Sequence, residues 1–343
     1  MSLILHIGFP KTGTTTIQRA FKKNAKALEK YGIIYPVASG IKQSAVKHIL
    51  AKIKSTDAER ELSELSYAID SAVSKNPSAH ILVSVEELTA RYQSVLTDDS
   101  VSLVKDYLTK WSDDIHLISY VRRPDAYYMS VMQERIKRGW LPLSPNSFRT
   151  NFDSIASIYE RVFETDAIIR PFERKQWAGG NILSDFLTQI EKFSIIPDRA
   201  FSNTLESSNE SLSSEAILAL EILYSRDECS TRSPNYSFAA ANKVWPKVRA
   251  LSREMNYNTK PVMFSHISEI VLEANKEDVE KLRNKRGVEF QEDTPTAGAC
   301  SSRPYCEKIS FQDLMPTQNQ KPLGQQNIFF ALGSSTMSKQ KCR

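Results

Sequence analysis

The stretch HIGFPKTGTTTIQ, residues 6–18, joins an apolar run to an amphipathic segment through a loop with two glycines. Residues 3–7, LILHI, form a mainly apolar run that ends at Gly8, which is typical of a buried parallel strand. After Gly13 the apolar side chains recur at helical spacing, and Gly32 is placed to end that helix. The order strand, loop, helix is the context in which a glycine loop binds phosphate. This stretch therefore predicts an α/β fold with an anion site at the loop.

The loop differs from the P-loop of nucleotide triphosphatases in the position of its lysine. A P-loop has lysine directly after the second glycine, whereas Thr14 follows Gly13 here and Lys11 lies inside the loop. Backbone N–H groups at a helix N-terminus favour an anion, and threonine hydroxyls and an ammonium group add donors. The predicted phosphate-binding residues are Pro10, Lys11, Thr12, Gly13, Thr14, Thr15 and Thr16.

Strand and helix patterns alternate along the rest of the chain, which predicts a P-loop-like parallel sheet flanked by helices. Further strands are predicted at residues 81–85, 115–121 and 167–170, and helical patterns at residues 42–75, 101–111, 211–225 and 268–283. Pro124 and Gly139 are placed to begin and end one more helix. The periodicity ends near residue 289. We therefore expect a single domain over residues 1–288 and a low-complexity, poorly ordered tail over residues 289–343.

Composition narrows the classes of function. Hydrophobic residues make up 41% of the 343 residues, enough for a substantial core. The net charge of +5 suits an anionic ligand but is too small to predict nucleic-acid binding. No apolar run approaches the roughly 20 residues of a membrane helix, and the N-terminus does not resemble a signal peptide, so a cytoplasmic location is expected. The scattered cysteines and histidines predict no metal site.

A second anion site is predicted where the strand at residues 115–121 ends. Arg122 leaves that strand, and Ser130 follows eight residues later, about two helical turns into the next helix. The guanidinium and the hydroxyl could together bind a second phosphate through charge-assisted and ordinary hydrogen bonds. Taken alone, the pair is equally typical of an exposed arginine and a surface serine.

Together the two segments resemble the PAPS-dependent sulfotransferases, whose donor is 3′-phosphoadenosine 5′-phosphosulfate. PKTGTT is similar to that family's 5′-phosphosulfate loop, P-K-[ST]-G-T-T, and RRPDAYYMS is similar to its 3′-phosphate segment, R-x-P-x-x-x-x-x-S. Over about residues 1–290 the chain resembles the bacterial glycan-type sulfotransferase group through HIGFPKTGTTTIQ, GIIYP, SVEE, VRRPDAYYMS, RPFER and NESLSSEA. The resemblance implies sulfuryl transfer from PAPS, without a metal, to an acceptor hydroxyl on a glycan or glycolipid.

The resemblance also implies a role for each matched residue. Lys11 would contact the bridging oxygen between the 5′-phosphate and the sulfuryl group, while Arg122 and Ser130 would hold the 3′-phosphate. The 5′-phosphate would lie against Gly13, Thr14, Thr15 and Thr16. One departure concerns the glycine-rich RKGxxG segment of many members. Its nearest counterpart is RNKRG, residues 283–287, which does not match.

The acceptor hydroxyl needs a general base. Glu86 and Glu87 follow the strand at residues 81–85, and the S-x-E pattern of the resembled group is matched by Ser84-Val85-Glu86. Glu86 is the preferred base. Glu87 stays an alternative, as does His48, because histidine is the base in some branches of the family.

Two other functions remain open from the sequence. The first is a P-loop kinase or nucleotide triphosphatase that uses ATP and magnesium, with Glu86 as the metal-binding acid. The absence of lysine after Gly13 argues against it. The second is a non-catalytic nucleotide-binding or interaction protein, which the presence of both Lys11 and Glu86 disfavours. The identity of the acceptor and the oligomeric state are not specified by the sequence.

Overall fold

The computed structural model describes residues 1–37, 43–90, 96–197, 200–201, 211–225, 238–257, 259–291, 293–297 and 311–315. Contacts divide the chain into two compact units, each assembled from several segments. The first unit comprises residues 1–123, 150–208 and 277–292, and the second comprises residues 124–149, 209–276 and 293–343. The single domain over residues 1–288 stays a prediction, since residue 288 is not a boundary of either unit.

The first unit contains a five-stranded parallel sheet, as the sequence predicts. Its strands are β1 (Leu3–His6), β2 (Ile33–Ile34), β3 (His80–Ser84), β4 (Ile115–Val121) and β5 (Ala167–Pro171). The spatial order is β2-β3-β1-β4-β5, so β1 is central and the chain passes to either side of it. In open parallel sheets a ligand binds outside the carboxyl ends of the strands, where the strand order reverses. The loop after β1 lies at such a position.

Thirteen α-helices occur within the described ranges. They are α1 (Thr14–Leu28), α2 (Val46–Leu50), α3 (Thr56–Lys75), α4 (Glu87–Ala90), α5 (Asp98–Leu108), α6 (Pro124–Lys137), α7 (Phe152–Phe163), α8 (Ile182–Ile190), α9 (Ser214–Ser225), α10 (Phe238–Glu254), α11 (Ser265–Ala274), α12 (Lys276–Arg286) and α13 (Phe311–Leu314). None of the described helices is long and apolar enough to cross a membrane.

The core of the first unit lies on both faces of the sheet. Ile4, Leu82 and Ile118, from three adjacent strands, pack in one cluster with apolar residues of α1 and α8. Successive side chains of a strand point to opposite faces. Their neighbours along the strands are also fully buried: Leu5, Val83 and Leu117. Elsewhere in this unit α5 packs against α7, and α7 lies against β4. Burial on both faces explains why the strands read as continuous apolar runs.

Two helical patterns in the sequence are interrupted in the structure. The pattern over residues 42–75 breaks between α2 and α3, where Lys52 has a φ of 51°. The side chain of Ser55 then accepts a hydrogen bond of 3.2 Å from the amide of Ala58 and caps α3. The pattern over residues 268–283 breaks at Asn275, whose side-chain amide donates to the backbone oxygen of Phe148 at 3.0 Å. Both breaks are made by polar side chains that bind backbone groups.

The second unit is mainly helical. It contains α6, α9, α10, α11 and α13, with a short parallel pair of strands, β6 (Met263–Phe264) and β7 (Thr296–Ala297). Ser213 caps α9: its hydroxyl accepts a hydrogen bond from the amide of Ala216 at 3.1 Å. β7 and α13 lie within the predicted tail, and α13 packs on α9 with Phe311 fully buried. Most of the predicted tail lies outside the described residues.

Candidate functional site

The loop between β1 and α1 has left-handed backbone at three positions. The φ angles are 98° at Gly8, 64° at Lys11 and 82° at Gly13. A β-carbon at Gly8 would lie 3.2 Å from the α-carbon of Glu86 and 3.0 Å from the hydroxyl of Thr89. Glycine is therefore required at position 8, both for its φ angle and because the loop backbone approaches the residues that follow β3.

Gly13 is also closely packed, against one residue that follows β5 and one that begins α8. A β-carbon there would lie 2.8 Å from the ring of Phe172 and 3.1 Å from Ile182. Gly13 is the N-cap of α1, and no side chain caps the helix. Its carbonyl accepts from the amides of Thr16 and Ile17 at 2.9 and 3.2 Å. The first turn of α1 therefore begins directly at the loop, which is the usual arrangement for an anion at a helix N-terminus.

Glu86 contacts the first turn of this helix. The hydroxyl of Thr14 donates a hydrogen bond to Oε2 of Glu86, and Thr14 is 2% exposed while Glu86 is half-buried. Negative charge near a helix N-terminus is stabilised by the helix dipole. Where a nucleotide triphosphatase has its lysine, this chain thus has a hydroxyl bonded to a carboxylate.

The end of β3 is held in place by three polar side chains around Ser84. Gln18 of α1 donates to the backbone oxygen of Ser84 at 3.1 Å, and the side-chain oxygen of Gln43 accepts from the Ser84 amide at 2.7 Å. His6 of β1 is hydrogen-bonded to the Ser84 hydroxyl at 2.8 Å. Complete burial lowers the pKa of His6 from 6.5 to about 3, so this histidine is neutral. These contacts fix the backbone two residues before Glu86.

Arg122 meets the loop from the other side of β1. Its Nη1 donates to the backbone oxygen of Lys11 at 3.5 Å, and its guanidinium lies over the ring of Phe172 at 5.6 Å. Phe172 thus contacts both Gly13 and Arg122. The sequence did not single out Phe172; the available signal was its position directly after the carboxyl end of β5.

A buried polar cluster fixes the end of β5. Nη2 of Arg170 pairs with Oδ1 of Asp185 at 2.8 Å, and the hydroxyl of Tyr120 donates to the same carboxylate at 2.8 Å. Asp185 is fully buried. Because each polar group has a partner, the cluster holds β4, β5 and α8 in one arrangement. Phe172, two residues after Arg170, is thereby positioned over the loop.

The other loop residues have distinct environments. Thr12 is fully buried, and its hydroxyl donates to the backbone oxygen of Phe9, so it stabilises the loop itself. Pro10, Thr15 and Thr16 are half-buried, the last two on the first turn of α1. The hydroxyls of Thr15 and Thr16 are therefore better placed than that of Thr12 to contact a ligand.

The three remaining predicted residues lie on three different helices. Ser130 is half-buried on the second turn of α6, in the second unit, and its role at the 3′-phosphate stays a prediction. His48 of α2 bonds Oε2 of Glu61 on α3 through its Nε2 at 2.9 Å. Glu87 is the first residue of α4 and half-buried. The alternative bases Glu87 and His48 likewise stay predictions.

The RNKRG segment ends α12 and connects it to α7. The side chain of Arg286 is 7% exposed, and its Nε donates to Asp153 at 2.9 Å while Nη1 pairs with Glu160. Gly287, with a φ of 63°, terminates the helix. The arginine of this segment that is most buried is therefore an anchor for α7.

The site joins residues that are far apart in the sequence. The loop with Lys11 is flanked by Glu86 on one side and by Arg122 on the other. It offers a helix N-terminus and two cationic side chains for an anion, beside one carboxylate that could accept a proton. Within the described ranges, no three histidine, cysteine, aspartate or glutamate side chains are grouped so as to hold a metal ion. Comparison of the chain with protein-family models, curated proteins and solved structures finds no match.

Proposed function

We propose that the chain is a sulfotransferase that moves the sulfuryl group from PAPS to an acceptor hydroxyl on a glycan or glycolipid. The observation that carries the proposal is the pair of contacts made by the loop after β1. Thr14 of the loop region bonds Glu86, and the backbone of Lys11 accepts from Arg122. Lys11, to which the resemblance assigns the leaving-group cation, lies on this loop. The assigned base, Glu86, contacts the first residue of α1 directly after the loop, and the assigned phosphate-binding arginine, Arg122, contacts the loop itself.

The donor would lie with its 5′-phosphate at the N-terminus of α1. The amides of the first turn and the hydroxyls of Thr15 and Thr16 are the donors there. Arg122, positioned by the ring of Phe172, would bind the 3′-phosphate. Stacking on Phe172 restricts the guanidinium, so less rotational freedom is lost when it binds an anion.

The chemical step is an in-line displacement at sulfur. The acceptor oxygen forms a bond to sulfur while the bond from sulfur to the bridging oxygen breaks, and the electron pair of that bond remains on the 5′-phosphate of adenosine 3′,5′-bisphosphate. The ammonium of Lys11 stabilises the charge that develops on the bridging oxygen. The acceptor proton passes to the carboxylate of Glu86. Positioning and charge stabilisation account for most of the catalysis in transfers of this kind.

The Thr14–Glu86 contact is also compatible with a second function, that of a P-loop kinase or triphosphatase. In P-loop kinases and triphosphatases a loop hydroxyl and an acid after a nearby strand hold magnesium. Here, however, the hydroxyl belongs to the position that their lysine occupies. A thermal-shift comparison separates the two functions: adenosine 3′,5′-bisphosphate should raise the melting temperature. Stabilisation by ATP with magnesium alone would instead favour the kinase.

The decisive experiment measures transfer of labelled sulfate from PAPS to a panel of glycans and glycolipids. Wild-type chain should transfer label, and Lys11→Ala should lose about 10²–10³ in rate, the usual effect of removing one donor to a developing oxyanion. Lys22→Ala, an exposed lysine on the same helix, is the matched control and should retain full activity. Equal activity in Lys11→Ala and wild type would refute the assigned mechanism.

A further inference from the structure

The second unit contains a cavity of about 230 Å³ that the proposed reaction does not use. It lies between the start of α9, the C-terminal half of α10 and the segment that follows α10. Its polar lining includes Ser211, Ser213, Arg249, Arg253, Tyr257 and Lys260. All of these residues belong to the second unit, whereas the phosphate loop belongs to the first.

A chain of hydrogen bonds fixes one wall of this cavity. The Ser252 hydroxyl donates to the backbone oxygen of Tyr257 at 2.7 Å, and it lies 2.8 Å from the Ser213 hydroxyl. Because the Ser252 proton is used in the first bond, Ser213 must donate the second. Ser213 also accepts from the amide of Ala216 at 3.1 Å. The wall is therefore ordered, and its serine protons are committed within the protein.

The N-terminus of α9 is likewise occupied by protein groups. The amide of Ser214 donates to the backbone oxygen of Thr259 at 2.9 Å, and the amide of Ala216 donates to Ser213. The backbone of this helix end therefore adds little to ligand recognition. Any selectivity of the cavity must come from the side chains that line it.

Those side chains give the cavity a positive charge. Arg249 and Arg253 are four residues apart on α10, which places both on the same face of the helix. Lys260 joins them from the following segment. Of the described residues that line the cavity, these three are cationic and none is acidic. α10 as a whole carries four basic residues and one acidic residue. An anion bound there would meet three cationic side chains.

We propose that this cavity binds a phosphate or sulfate monoester of a small hydroxylated molecule, such as a monosaccharide. Two guanidinium groups and an ammonium match the charge and geometry of a tetrahedral oxyanion. Ser211, Tyr257 and Thr259 also line the cavity, and residues that carry hydroxyls suit a polyol. The volume is below the range of about 300–1,000 Å³ typical of drug-sized ligands, so one sugar ring with its ester group is a suitable size.

Isothermal titration calorimetry on the full chain tests this proposal with glucose 6-phosphate, glucose 6-sulfate and unmodified glucose. At least one ester should bind, and glucose should bind at least about tenfold more weakly, because it lacks the charge-assisted bonds. Tighter binding of one ester identifies whether the group is a phosphate or a sulfate. The absence of binding by both esters would overturn the proposal.

Variants then locate the binding. The double variant Arg249→Gln/Arg253→Gln should weaken ester binding by about tenfold or more, and Lys260→Gln, at an exposed position, should weaken it severalfold. Lys247→Gln is the control, because Lys247 is exposed on α10 but does not line the cavity. Circular-dichroism melting confirms that each variant is folded, and Lys260→Gln keeps the test valid if the double variant is not.

A final variant separates this cavity from the phosphate loop. Lys11→Ala/Arg122→Ala should bind the ester as wild type does, even if it no longer binds adenosine 3′,5′-bisphosphate. Loss of ester binding in that variant, with binding retained in the α10 double variant, would place the ester at the loop and refute the cavity site. The proposal holds or fails independently of sulfuryl transfer.

Discussion

Thr14 has a different consequence for Glu86 than a lysine at the same position would have. A lysine would neutralise the carboxylate through an ion pair, whereas the hydroxyl donates one neutral hydrogen bond and fixes the orientation of the carboxyl group. An oriented carboxylate is what a proton acceptor in the proposed reaction requires.

Glu86→Gln preserves the shape of the side chain and removes its basicity. We expect the transfer rate to fall by about 10²–10⁴, while the affinity for adenosine 3′,5′-bisphosphate changes little. Initial rates with labelled PAPS and a calorimetric titration of the bisphosphate measure the two effects. Glu87→Gln is the neighbouring control and should be close to wild type. An unchanged rate in Glu86→Gln would assign the base elsewhere.

The residues of the site were predictable to different degrees. Lys11, Glu86 and Arg122 each follow a predicted strand, and the carboxyl ends of parallel strands share one edge of the sheet. The contact between Thr14 and Glu86 joins residues 72 positions apart, and no local pattern specifies it. Phe172 was missed for the same reason, because its contacts with Gly13 and Arg122 depend on the course of β5 after the sheet has formed.

β1 and β3 are joined by the buried, hydrogen-bonded pair His6 and Ser84. The folded-state pKa of His6 is about 3 and the unfolded-state value is 6.5, so the unfolded chain binds one more proton between those pH values. Stability from this group is thus complete above pH 6.5 and is lost as the pH falls toward 3. Because Ser84 is the last residue of β3, this loss of stability should act on the end of β3 and on Glu86, which follows it.

Urea unfolding at pH 7 and pH 5 measures the effect. The free energy of unfolding of wild type should fall by about 2 kcal/mol more than that of His6→Asn, which has no titrating ring. Carboxylates titrate in both proteins, so the difference between them isolates His6. Identical pH dependence in the two proteins would contradict a neutral, buried histidine.

The contacts of Arg286, on α12, with Asp153 and Glu160 of α7 give a second prediction. Arg286→Met removes a buried partner of Asp153 and Glu160, and should lower the free energy of unfolding by about 3 kcal/mol. This is the lower end for a broken buried pair, because Lys285 still pairs with Asp153 at 3.2 Å. Arg283→Met is the control.

Arg283 is exposed and pairs with Glu289 at 3.6 Å, so its loss should cost less than about 1 kcal/mol. Urea unfolding at pH 7 compares the two variants. Equal costs would mean that Arg286 contributes no more than a surface ion pair.

The sequence predicts the bounds of the strands better than the starts of the helices. β4 has the predicted bounds, residues 115–121. β1 and β5 differ from their predicted spans by one residue at one end, and β3 is shifted by one residue at both ends. A buried apolar run is a strong local signal. The starts of helices were less predictable: α5 begins at Asp98 rather than Val101, because Thr97 and Ser100 form a capping box that was not recognised.

The two units are built from segments that alternate along the chain. The first unit, which contains the five-stranded sheet, is completed by residues 277–292. These residues follow most of the second unit along the chain. Composition and periodicity predict elements but not which elements share a core. The sequence therefore predicted one domain and a tail, with no indication that α12 returns to the sheet unit.

Truncation tests the contribution of this returning segment. Asp278 of α12 accepts from the amides of Phe152 and Asp153, both at 2.9 Å, and so caps α7. A chain that ends at residue 276 should melt at a lower temperature than a chain that ends at residue 292, and should be less stabilised by adenosine 3′,5′-bisphosphate. Both lack residues 293–343, so only 277–292 distinguishes them. Equal melting temperatures would show that α12 is dispensable.

The left-handed backbone of Lys11 implies that stability and activity favour different residues at this position. A residue with a β-carbon pays about 1 kcal/mol relative to glycine at a φ of 64°. The backbone conformation alone would therefore favour glycine at position 11, as at Gly8 and Gly13. The proposed need for an ammonium group opposes that change. Position 11 is thus a site of stability–activity trade-off, where a thermostability screen of this chain would enrich inactive variants.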